Sequence, residues 1–179
     1  TLEIQKRLLQ VENGNLSPHE KALLLKEAIR IADENDDPQW AVEMRLDLIY
    51  ELNLLSQAEE EIAVFSRILD DYENNKDLIS ENDILWKYKW ICGAAFDVPE
   101  VSQSQIDAIL EDFKIRTLRN GYSARAYYHL LFLHYNRMRQ YDLAKEYADK
   151  MLSEKLDDMM CEACELNLLL DYYLETGRF

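Results

Sequence analysis

The sequence predicts an all-α chain, and three observations predict it. Apolar residues recur at three- and four-residue spacing along the whole length. No segment alternates cleanly at period two, so no sheet is expected. Only four Gly and three Pro occur among 179 residues, 48% of them hydrophobic, which leaves few helix breakers and little material for tight hairpins.

The elements follow in order. Nine helices are expected, at about 2–13, 18–35, 38–53, 56–75, 82–96, 103–120, 122–138, 140–154 and 157–176. In the second, Ala22, Leu25, Ala28, Ile29 and Ala32 form an apolar face opposite Leu23, Lys26, Glu27 and Arg30. Its start carries Ser17, Pro18 and Glu20, an N-cap serine with an acid three residues on. Asp37-Pro38 opens the third helix. Ser56 with Glu59 and Ser102 with Gln105 repeat the capping-box pattern for the fourth and sixth. Each cap satisfies backbone N–H groups that a helix leaves unpaired. No Ser/Gly/Pro-rich linker divides the chain, so residues 1–179 read as one domain.

Composition narrows the partners. The formal charge is −15, which argues against nucleic acid or an anionic membrane and allows a basic partner. No run of about 18 apolar residues predicts a membrane span. Three cysteines, Cys92, Cys161 and Cys164, do not suggest a disulfide framework. A cytoplasmic location is the expectation.

Self-similarity sets the architecture. Tyr128, Leu131, Phe132 and Tyr135 line one expected helix, and Ala144, Tyr147, Ala148 and Met151 the next. Leu166, Leu169, Leu170 and Tyr173 repeat the first set, and Gly177-Arg178-Phe179 follows as a turn. This pattern resembles the tetratricopeptide repeat (TPR) family. Earlier repeats are weaker: Trp40, Leu46, Asp47 and Tyr50, then Tyr88, Ile91, Cys92 and Ala95. The alanines taken as second-helix markers, Ala22, Ala58, Ala108 and Ala144, are spaced by 36, 50 and 36 residues. The resemblance implies a right-handed α-α superhelix of antiparallel helix pairs, here a solenoid stopping mid-repeat, so that the natural protein is expected to continue past Phe179.

The resemblance also implies a concave groove lined by the first helix of each pair. On this sequence those positions include Met44 in a stripe with Ala41, Leu48 and Glu51, then Trp86, Lys89 and Phe96. His129, Leu133 and Asn136 follow with Ala126, and last come Cys164, Asn167 and Asp171. Family members that clamp a chaperone carboxylate use lysines that are missing here beside Asn136 and Asn167.

A second feature is the charge distribution. Residues 1–80 hold eight basic and eighteen acidic side chains, whereas no acid lies between Asp112 and Asp142. That stretch contains Lys114, Arg116, Arg119, Arg125, Arg137 and Arg139, with five tyrosines. Arginine beside tyrosine suits anion recognition. The competing reading is internal neutralisation and inter-repeat packing.

Cys161-Glu-Ala-Cys164 is a CxxC. Within a helix starting at 157 it reads as small residues packed between helices, and Asp157 and Asp158 oppose a stabilised thiolate. Zinc would need more ligands than the chain offers nearby. His129 and His134 lie five apart, ~140° around a helix, and do not share a face. No phosphate loop, nucleophile elbow or cofactor motif is present. The expected function is non-enzymatic binding of a protein or peptide segment. A peptide-sensing regulatory domain of a larger bacterial-type regulator is the alternative, and an enzyme would need a constellation that is not visible.

Overall fold

The computed structural model describes residues 15–177, with Lys6 before them. The helix expected at about 2–13 falls almost wholly outside the described residues. Eight helices follow: α1 (Pro18–Glu34), α2 (Pro38–Leu54), α3 (Ala58–Asn74), α4 (Glu81–Ala95), α5 (Gln103–Arg119), α6 (Arg125–Arg137), α7 (Tyr141–Ser153) and α8 (Glu162–Thr176). The described residues contain no strand.

The chain forms two compact units, one ending at Lys87 and the other starting at Tyr88. The boundary lies inside α4, so no linker composition marks it, and the sequence reads as continuous.

In the first unit α1 packs on α2 and α2 on α3. The α1 face of Ala22, Leu25, Ala28 and Ala32 meets Ala41, Met44, Leu48 and Leu52 of α2. The alanines let the two backbones approach, while Leu25 and Leu52 fill the space between them. Ser17 caps α1 as expected: its N–H donates to Glu20 Oε2 at 2.9 Å, and Glu20 N–H donates to Ser17 Oγ at 3.4 Å. Asp37 caps α2 by accepting from Trp40 N–H at 3.4 Å.

In the second unit α6 packs against α5, α7 and α8, and α7 also packs against α8. The core joins Phe132 of α6, Ala144, Ala148 and Met151 of α7, and Leu169 and Tyr172 of α8. Phe132 and Tyr172 meet edge to face with centroids 5.6 Å apart. Such a pair adds about 1 kcal/mol to the area it buries. Tyr128, Tyr135 and Tyr147 form a half-buried stack over this core, with Tyr135 and Tyr147 nearly parallel at 5.3 Å. The tyrosines of the acid-free stretch are therefore largely packing residues.

One turn recurs. After α1, α2, α5 and α6 the chain enters the left-handed region for a single residue: Asp36 (φ 51°), Ser56 (φ 55°), Gly121 (φ 81°) and Arg139 (φ 56°). In each case the following N–H reaches back five residues to a helix carbonyl. The bonds are Asp37 to Ala32 at 3.0 Å, Gln57 to Leu52 at 3.0 Å, Tyr122 to Thr117 at 3.2 Å and Gln140 to Tyr135 at 2.9 Å. This Schellman closure satisfies the last carbonyls of one helix. After Asp36, Ser56 and Arg139 the next helix starts within two residues.

Three expectations are corrected. Ser56 does not cap α3: it is the left-handed residue of the turn, and the helix begins at Ala58 after Gln57. Ala108 is exposed, because the buried stripe of α5 is Ile106, Leu110, Phe113 and Thr117. The last helix begins at Glu162 rather than 157. Residues 154–161 form a connection of their own, in which Met159 and Met160 are buried.

Candidate functional site

The polar side chains of the second unit converge around the start of α8. The connection before α8 is held from two sides. Ser123 N–H donates to Asp157 Oδ2 at 2.7 Å, and Ser123 Oγ–H donates to the Lys155 carbonyl at 2.8 Å. From α4, the Lys89 ammonium donates to the Met159 carbonyl at 2.6 Å. Arg125, at the first position of α6, donates from Nη1 to the Glu154 carbonyl at 2.6 Å. Its Nε and Nη2 reach Glu165 Oε1 and Oε2, both at 2.7 Å. Both partners of that pair are buried.

Electrostatics follow from this enclosure. Burial pushes the Lys89 ammonium down to about 8, against the opposing pull of Cys164, Cys161, Glu165 and Asp157. Burial pushes His129 down to about 4, helped by the positive charge of Lys89 and countered by Glu165. His129 is thus a neutral imidazole at pH 7, and its Nδ1 is enclosed without a hydrogen-bond partner. Seven residues on, Asn136 is buried and its Oδ1 also lacks a partner. Between them Leu133 meets α4: a Cβ on Gly93 would stand 3.9 Å from Leu133 Cδ2. Leu133 therefore lies in the seam between α6 and α4.

The other expected groove positions separate. Met44 is fully buried in the α1–α2 core, as are Ala41 and Leu48. Its stripe is core because α1 covers it. Trp86 is half-buried on α4 in the first unit. Asn167 and Asp171 are exposed on α8, on the face that carries Cys164. Of the expected groove positions, Lys89 and His129 share one polar enclosure, and Asn136 lies two turns further along α6.

The arginine-rich stretch is largely committed to its own chain. Arg116 Nε donates to Asp112 Oδ2 at 2.9 Å. Arg125 is held by Glu165, and Arg137 Nη1 donates to Asp97 Oδ2 at 2.8 Å and to the Gly93 carbonyl at 3.1 Å. Lys114 pairs with Glu111 at 3.3 Å. Arg119 and Arg139 are exposed, at the end of α5 and in the α6–α7 turn. The acid-free segment draws its counter-charges from Asp97, Asp112 and Glu165, outside its bounds. Arg116, Arg125 and Arg137 thus each have a carboxylate partner on their own chain.

Sequence reasoning missed Glu165 and the position of Cys161. A signal existed: Glu162 and Glu165 are the acidic first-turn residues that mark a helix start. Among the described residues no group of three His, Cys, Asp or Glu side chains could hold a metal ion. No described helix is long and apolar enough to cross a membrane. No protein-family model, curated protein or solved structure matches this chain.

Proposed function

We propose that this chain is a non-enzymatic helical-repeat module, a tetratricopeptide-like right-handed superhelix of antiparallel pairs, that binds an extended protein or peptide segment. The observation carrying this reading is the pair of enclosed, unpartnered polar atoms on α6, His129 Nδ1 and Asn136 Oδ1. Buried polar atoms without partners are rare because each costs about 1–3 kcal/mol. Seven residues of helix rise ~10.5 Å, which is close to the length of three residues of extended chain at ~3.4 Å each. Two such atoms at that spacing suit two polar groups of an extended main chain, admitted where the α4–α6 seam at Leu133 parts. The half-buried Lys89 adds a cation beside His129 for an acidic side chain or a carboxylate. The recurring αα-turn supports the repeat reading, since the same closure ends four helices.

The test is selection from a displayed library of random peptides, followed by titration of the winners. Wild type is compared with the paired variant His129→Phe and Asn136→Leu, after circular dichroism shows that the variant is folded. The expected result is a selected motif whose affinity falls at least about tenfold in the variant, the equivalent of one net hydrogen bond. Peptides that bind both proteins equally, or a library that yields no binder, would overturn the reading.

A further inference from the structure

Cys161 is the N-cap of α8 and Cys164 stands in its first turn. Both thiols are reduced. Cys161 is partly exposed and Cys164 is exposed, so small molecules in solvent reach both. The two thiols interact electrostatically, each shifting the proton affinity of the other. The first turn is closed around Cys161, whose carbonyl accepts from Cys164 N–H at 3.0 Å and Glu165 N–H at 3.1 Å. The cation of Lys89 on α4 lies within electrostatic reach of both sulfurs and is anchored on the Met159 carbonyl two residues before Cys161. Of the acids nearby, Glu165 is neutralised by Arg125. Asp157 is occupied by the N–H groups of Ser123 (2.7 Å) and Met159 (3.1 Å). Asp157, one of the two aspartates that the sequence set against a thiolate, is therefore already engaged.

We infer that Cys161 and Cys164 form a thiol–disulfide exchange site, with Cys161 as attacking sulfur, Cys164 as resolving sulfur and small disulfides of the glutathione class as co-substrate. The physical support is specific. A sulfur at a helix N-terminus sits near the N–H groups of the first turn and the positive end of the dipole, which favour its thiolate. The Cys164 thiol and the N–H groups of Cys164 and Ala163 hold the Cys161 thiol below its ordinary value, and Lys89 adds to this. The Cys164 thiol is raised, first by its contact with Cys161. The roles are thus divided between the two sulfurs. Cys92, by contrast, is fully buried and its thiol is pushed up by that burial.

The exchange balances as follows. The Cys161 thiolate attacks one sulfur of the small disulfide; a protein–small-thiol mixed disulfide forms and one small thiolate leaves. Cys164 gives its proton to solvent, and its thiolate attacks the Cys161 sulfur and expels the second small thiolate. Two cysteine thiols are oxidised to one intramolecular disulfide, and one small disulfide is reduced to two thiols. The spacing permits closure, because residues three apart in a helical turn have neighbouring side chains and a CxxC in a first turn needs only a local adjustment.

The experiment uses the full chain with glutathione disulfide at pH 7, quenched by alkylation and read by intact mass and peptide mapping. Wild type is expected to lose two hydrogens with no retained adduct, and the bond maps to Cys161–Cys164. Cys164→Ser is expected to trap one glutathione on Cys161. Cys161→Ser is expected to react at least about tenfold more slowly, in proportion to thiolate fraction. Lys89→Met is expected to shift the pH–rate profile of Cys161 alkylation upward, with circular dichroism confirming that the helices stay folded although the bond to the Met159 carbonyl is lost. Serine is a good N-cap, so Cys161→Ser keeps the helix start. Three results would each overturn the assignment: no intramolecular disulfide in excess oxidant, equal trapping on Cys164, or a Cys161 profile indifferent to Lys89.

Discussion

Arg125 and Glu165 meet as a two-pronged pair, Nε to Oε1 and Nη2 to Oε2, both at 2.7 Å, forty residues apart in sequence. The pair ties the start of α6 to the first turn of α8, and Arg125 also holds the carbonyl that follows α7. Removing one partner from a buried pair leaves an uncompensated charge, which costs about 3–5 kcal/mol. Glu165→Ala and Arg125→Ala are therefore each expected to lower stability by about 3 kcal/mol in urea denaturation. In the double variant the loss falls short of the sum by about 2 kcal/mol, the coupling of residues in contact. Additive losses would show that the pair is not a unit.

The recurring turn gives a second test. A residue with a Cβ in the left-handed region carries roughly 1–2 kcal/mol of strain that glycine avoids, less the ~0.5–1 kcal/mol that glycine loses in chain entropy. Ser56→Gly and Arg139→Gly are expected to stabilise the protein by up to about 1 kcal/mol, and Asp36→Gly by less, because Asp tolerates the left-handed region. Gly121→Ala is expected to destabilise by about 1 kcal/mol, although its Cβ would meet open space. Thermal unfolding of the four variants checks both signs.

Local features were legible where a local rule decides them. The α1 face, the Ser17 cap and the Asp37 cap each follow from residues within one or two turns. The turn residues Ser56 and Arg139 were not legible, because neither is a left-handed former; tertiary packing of the flanking helices imposes that backbone. Cys161 was misplaced because the apolar residues of 157–161 mimic helical phase, while Ser123, Lys89 and Arg125 hold that connection from distant helices. Lys89 and His129 were legible through the repeat resemblance. Their common enclosure was not, since it depends on contacts tens of residues apart.

His129 makes stability depend on pH in a defined window. Its folded value is lowered from 6.5 to about 4 by burial. An unfolded chain therefore binds the proton first, so the contribution is fully present above pH 6.5 and is lost as pH falls towards 4. Urea midpoints of wild type and His129→Gln, measured from pH 7.5 to 4, are expected to converge or cross across that window. A constant difference between the two curves would show that His129 does not titrate in it.

Glu61 has the opposite sign. It is buried on α3, and burial raises its carboxyl above the ordinary value against the opposing pulls of Asn53 and Lys87. The Asn53 bond is long, 3.4 Å to Oε1, and offsets little of the desolvation. A raised acid stabilises the folded chain below its unfolded value, and that contribution is lost as pH rises through the folded value. At pH 7 the buried carboxyl therefore favours the fold less than it does at low pH. Glu61→Gln keeps the shape and the neutral form, and is expected to raise the urea midpoint at pH 7. That gain shrinks as pH falls towards 4.5, where wild type takes up its own proton. Asn53→Ala is expected to act the other way, lowering the midpoint at pH 7 more than at pH 4.5. If Glu61→Gln instead lowers the midpoint at pH 7, the attraction between Glu61 and Lys87 outweighs the cost of burying the charge.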